Sequence, residues 1–331
     1  MSRSRIITAA LIVCLLVVGA CAWYMFGWSS GMTYANADKY TAGNATVTGS
    51  VNNLFIDWTE GSVKIEYHKG SGVIVSETAS RALSEEEQLR WWLDGDTLRI
   101  RYARPNFRVT SRLNKALTVS LPEDTVLKAA DIGATSADIT VPDLTADEIR
   151  LDSTSGDITA GTSAKKLTVS STSGDIRITQ YADAVDVSLT STSGGIGCTL
   201  GSAKSVRADS TSGAISLNLS KGADKVRLGS TSGNIYADFA FAGKAEISST
   251  SGSVHAKVAS FDELKIGSTS GSVTAQLPEK PGFTCSADTT SGSFDSALPL
   301  AKDGKKYVCG DGSAKCVIDT TSGDIRIEEI E

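Results

Sequence analysis

Hydroxyl and carboxylate side chains recur together in one phrase. Ser-Thr-Ser-Gly-Asp-Ile stands at Ser153–Ile158 and Ser171–Ile176, and Thr-Thr-Ser-Gly-Asp-Ile at Thr320–Ile325. Evenly spaced oxygens of this kind suit a calcium-binding β-roll, where each ion collects about six to eight oxygens from successive turns. That chemistry needs the carboxylate at every repeat. The residue after the glycine is instead Asp157, Asp175, Gly195, Ala214, Asn234, Ser253, Ser272, Ser293 or Asp324. What persists is Ser or Thr, then Thr, Ser and Gly: small hydroxyls that bond local backbone, and a residue able to take positive φ. Gly156, Gly174, Gly194, Gly213, Gly233, Gly252, Gly271, Gly292 and Gly323 therefore read as turn glycines, and no metal or other cofactor is expected.

Other chemistry is sparse, and no catalytic residue is assigned. The histidines, His68 and His255, have neither zinc-ligand spacing nor a nucleophile partner. Asp288 and Asp319 both stand four residues before a triplet glycine, so on adjacent coils they would face outward about 5 Å apart. Such a pair could bind a cation or act on a glycoside, although exposed carboxylates are usually only solvated. Arg99, Arg101, Arg104, Arg108, Arg112 and Lys115, with Tyr102 and Phe107 among them, form a candidate patch for an anionic polymer or lipid headgroup. Their alternation in Thr97–Tyr102 equally fits the wet face of a strand. Cys285 and Cys316 share one inward column, within disulfide reach if their coils stack, and Cys309 is a rival partner; Cys198 reads as a core residue.

The elements that position these residues follow from the period. Triplet glycines are 18 to 21 residues apart until the last interval of 31. Around each, apolar residues alternate: Leu167, Val169 and Ile176 in one repeat, Val226, Leu228 and Ile235 in another. Period 2 means strands with one face buried. Each unit holds two short strands and two turns, and stacking units gives a parallel β-solenoid that rises ~4.8 Å per coil. Arg207, Arg227, Glu246 and Lys265 then form a charged outward column, the expected place for a partner. Degenerate copies at Ala134–Ile139 and Leu54–Ile65 extend the stack backwards. Between them, Ser84 opens a predicted helical turn, and residues 47–128 read as an N-terminal β region capping the solenoid of 129–331.

The address is written at the start. Ile6–Trp28 carries no charge and, as a helix of about 34 Å, is long enough to span a bilayer. Arg3 and Arg5 precede it, so residues 1–5 are expected in the cytoplasm, 6–28 in the membrane, 29–46 as a linker and the rest outside. A lipidated Cys21, after Val-Val-Gly-Ala, is one alternative, and cleavage of a signal peptide another. The net charge of −6 argues against nucleic acid as the partner.

An N-terminal anchor, Leu117–Leu127 (LTVSLPEDTVL), the serial STSGDI phrases and the closing GDGSAKCVIDTTSGDIRI together resemble the bacterial β-strand-repeat family known as “putative adhesin”. The resemblance implies an envelope or surface protein with a solenoid-like β fold and no assigned catalytic residues. The leading expectation is an anchored extracytoplasmic interaction or scaffold module, partnered by the membrane and by a cell-wall polymer, a glycan or another envelope protein. The alternatives are an envelope-stress or signalling accessory and a polysaccharide-active β-helix enzyme.

Overall fold

The computed structural model describes residues 34–107, 113–280 and 282–330. The proposed anchor at 6–28, with Arg3, Arg5, Cys14 and Cys21, lies outside them, as do Arg108 and Arg112. Among the described residues no helix is long and apolar enough to cross a membrane. They are all-β apart from a single 3-10 turn at Ala37–Lys39.

Successive coils pair in parallel and in register. Ile176 lies between Ile158 and Ile196, Ile215 between Ile196 and Ile235, and Leu228 between Ala208 and Ile247. All of these side chains are buried, so the inward columns form one continuous core. Burying a Leu or Ile is worth about 1.5–3 kcal/mol, and a coil can realise this only against neighbouring coils.

The triplets are the corners of the stack. Thr172 N donates to Ser153 O (3.2 Å) and Ser173 N to Thr154 O (2.9 Å), and the pattern repeats up the molecule. The Ser hydroxyl folds inward: Ser249 Oγ accepts from Gly252 N (3.0 Å) and donates to Gly233 O of the preceding coil (3.1 Å). The glycines correct the expectation drawn from the sequence. None of the triplet glycines is among the positive-φ residues. Glycine is needed because coils touch there: a Cβ on Gly233 would stand 2.0 Å from Gly213 O, and one on Gly174 2.0 Å from Gly156 O.

At both ends the order in space departs from the order in sequence. Ala314–Thr320, near the C-terminus, pairs with Phe261–Ser268 on one side and Phe283–Thr289 on the other. Ile325–Glu329 is likewise held between Val273–Leu277 and Phe294–Ser296. The last coil in sequence is therefore inserted beneath the one before it. Lys306–Cys309 then pairs antiparallel with Phe283–Thr289, and Ala301–Asp303 pairs antiparallel with Lys306–Cys309.

The N-terminal end mirrors this. Asn53–His68 lies between Leu127–Ser153 and a pair of later strands, Thr97–Arg101 and Ala116–Pro122. Antiparallel strands Arg90–Asp94 and Val73–Thr78 cover these in turn. The turn expected at Ser84 is present as a single turn, with Ser84 N donating to Glu87 Oε2 at 2.8 Å.

Candidate functional site: a trough along one face

Each coil has one strand before its corner and one after, and the two faces differ in chemistry. On the face before the corner, Arg207, Arg227, Glu246 and Lys265 stand in register as one column. Its charges are largely matched: Arg227 meets Glu246 at 3.4 Å, Arg207 pairs with Asp209, and Lys244 in the next column meets Glu263 at 2.9 Å. Asp288 and Asp319 are register partners on this face, beside Gly267.

On the face after the corner, the first outward column runs Thr159, Arg177, Gly197, Ser216, Tyr236, His255 and Thr274. A second runs Thr179, Thr199, Asn218, Asp238, Lys257 and Gln276. Tyr236 and His255 stack with ring centroids 5.2 Å apart and planes within 6°. Tyr236 is 46% exposed. Tyr181, 59% exposed, lies over Gly161, where a Cβ would come within 2.9 Å of its ring. Two shallow concavities of about 560 and 450 Å³ occupy this face. They share Ser216 and Asn218, so they form one trough.

The corner carboxylates have a structural task. Asp157 Oδ1 accepts from Asp175 N (2.8 Å), and Asp175 Oδ1 accepts from Gly195 N (2.8 Å). Asn234 Oδ1 does the same for Ser253 N at 2.9 Å. Asp and Asn thus occupy one role, as acceptors for the backbone of the next coil. The backbone N–H of Ser293 and its hydroxyl hold the Asp324 carboxyl below its ordinary range. Among the described residues no group of three or more His, Cys, Asp or Glu side chains is arranged to hold a metal ion.

Among the described residues of the candidate basic patch, each cation is matched by a neighbouring carboxylate. Arg99 pairs with Asp94 (3.3 Å), Arg101 with Asp57 and Arg104 with Glu86. Arg101 also lies 4.8 Å over the Phe55 ring. Lys115 is fully buried: its Nζ meets Glu77 Oε2 at 2.7 Å, donates to Glu87 O (2.6 Å) and Tyr102 O (2.5 Å), and lies 4.2 Å over the Tyr102 ring. Alternation at this edge put polar residues on strands that the N-terminal cap then covers, and Lys115 is enclosed with its counterion.

Cys285 and Cys316 are register partners, as their shared column requires, and are buried free thiols. A hydrogen bond to Cys285, together with burial, raises the Cys316 thiol well above its usual value. Cys309 stands opposite Phe283 instead, with its Sγ 3.9 Å from Glu279 O. Burial pushes the Cys198 thiol up to about 12.

The trough aromatics were missed by attention to the inward columns. Aligning the outward position three residues after each glycine would have placed Tyr236 and His255 side by side, beyond the small Gly197 and Ser216.

Parallel coils of this length, cornered by stacked triplets and closed by antiparallel caps, define a repeat-built β-solenoid. The chain belongs to the Toastrack DUF4097 family, whose model matches residues 51–264 and 259–328. It is similar to a “putative adhesin” of Parabacteroides merdae, at 12% identity over 91% of this chain and 100% of that one, with a TM-score of 0.48. It is also similar to a “putative cell adhesion protein” of Clostridium sporogenes, at 13% identity over 88% and 100%, with a TM-score of 0.19. A third likeness is to a “putative lipid binding protein” of Parabacteroides distasonis, at 15% identity over 88% and 97%, with a TM-score of 0.38. No curated protein matches the chain.

Proposed function

We propose that the chain is a membrane-anchored, extracytoplasmic recognition module that binds its partner along the face after the corner and performs no catalysis. The trough carries this reading. It joins two exposed tyrosines to a continuous lining of hydroxyl, amide and charged groups on a backbone locked by inter-coil hydrogen bonds. Exposed aromatics in a polar surround are the composition of binding surfaces. The uncharged run at 6–28, preceded by Arg3 and Arg5, supports an anchor with a cytoplasmic N-terminus.

Two measurements on cells making the full chain test this. Protease added to intact cells should digest the region after Trp28 and spare the N-terminus; digestion only after lysis removes the extracytoplasmic assignment. The detergent-solubilised full chain should bind isolated envelope material, and Tyr236→Ala should weaken that binding without lowering Tm. Unchanged binding would move recognition to another face.

A further inference from the structure

Column order creates a notch within the trough. Between Arg177 and Tyr236 stand only Gly197 and Ser216, so three coil steps, ~14 Å, separate a guanidinium from an aromatic ring with little side chain between them. Tyr236 and His255 are parallel rings one coil apart. His255 covers one face of Tyr236, and the other looks along the stack over Ser216. Thr179, Thr199 and Asn218 form the polar border of the notch and are exposed.

Charge decides what can lie there. Arg177 is already matched by Asp175 (2.6 Å) and Asp157 (3.5 Å). Farther along the trough, Lys257 stands in register with Asp238, and Glu328 follows beyond Gln276 in the same column. Among the described lining residues each cation, Arg177 and Lys257, has a carboxylate beside it, and the chain as a whole is anionic, which disfavours a phosphate or polyuronate. A free ring face beside hydroxyl and amide groups instead suits a ligand with an apolar face and a rim of hydroxyls. Because the trough continues past the notch in both directions, the ligand is extended.

We infer that the notch is a binding subsite for an uncharged, extended polysaccharide. One sugar ring stacks on Tyr236, its hydroxyls bond to Thr199 and Asn218, and the chain runs lengthwise along the trough past Tyr181. This inference rests on the recognition face proposed above and names its ligand class.

The test titrates the detergent-solubilised full chain with cellohexaose, chitohexaose and mannohexaose, and with polygalacturonate as the anionic comparison, by calorimetry at low and high salt. At least one neutral hexaose should bind with little dependence on salt. Tyr236→Ala and Ser216→Trp, the latter filling the notch from an exposed position, should each weaken it about tenfold or more with Tm unchanged. No neutral binding, or neutral binding that both variants retain, overturns the inference. So does preference for polygalacturonate that is lost in high salt. Envelope binding measured on the same variants separates the two readings. If the variants lose envelope binding while no neutral hexaose binds or competes, the ligand class is wrong and the face is right. If envelope binding is untouched by either variant, the face itself is wrong.

Discussion

Gly233 shows how a residue can be read correctly for an incomplete reason. The corner is visible in the sequence because only small, hydroxyl-bearing and glycine positions persist there. The distance between coils is not, and that distance is what excludes a side chain. Gly233→Ala should cost about 3 kcal/mol or more, beyond the ~1–2 kcal/mol of a left-handed φ alone, because the new Cβ meets the backbone oxygen of Gly213 rather than a movable side chain. Gly95→Ala isolates the backbone effect: its φ is +63° and nothing lies within 4 Å of the added carbon, so only the ~1–2 kcal/mol of left-handed strain should appear. Asn234→Ala should cost about 1 kcal/mol through loss of its bond to Ser253 N. Chemical denaturation of the three variants would order them. Calcium and EDTA should leave Tm unchanged, since the corner carboxylates are already spent on backbone N–H groups. Acid has a different target. The Arg81 guanidinium and Ser84 N–H hold the Glu87 carboxyl down at about 2 from an ordinary 4.5. A depressed carboxylate contributes stability that is complete above 4.5 and disappears as pH falls toward 2. Tm should fall across that window, and Glu87→Gln should flatten part of the fall, modestly because its partner Arg81 is half exposed to solvent.

The strands tell a different story at the scale of elements. Period 2 identified the coils and their inward columns, and Leu54–Ile65 was recognisable as a coil despite lacking the triplet. Stacking order was not legible, because every coil offers its neighbours the same apolar columns and any pair would fit. The order is decided by the antiparallel strands at the ends: Lys306–Cys309 can reach Phe283–Thr289 only if that strand is outermost. The N-terminal cap also encloses an ion pair, Lys115 with Glu77. Lys115 has its pKa lowered by burial, against the opposing pull of the Glu77 carboxylate. Removing one partner leaves an uncompensated charge, so Glu77→Ala should cost about 3–5 kcal/mol, whereas replacing both, Lys115→Met with Glu77→Leu, should recover much of that loss. Equilibrium denaturation of the single and double variants measures the difference, and equal losses would show that the pair is not what holds the cap.

For the whole molecule, cooperativity is local, since each coil contacts only its neighbours. Hydrogen exchange should be slowest in the central coils, between Ile158 and Leu277, and faster in Ala301–Cys309, whose strands are short and largely exposed. Slowest exchange in that terminal hairpin would contradict the ordering. The inserted C-terminal coil also sets a timetable for biosynthesis. Coils up to Val273–Leu277 can stack one after another as the chain emerges, but Phe283–Thr289 cannot take its native place in the stack until Ala314–Thr320 has been made. A coil made later is thus the one that the earlier coil must wait for. A stalled or prematurely terminated chain is left with an unpaired apolar coil and its cap in search of an edge, which marks it out for proteolysis from the completed protein.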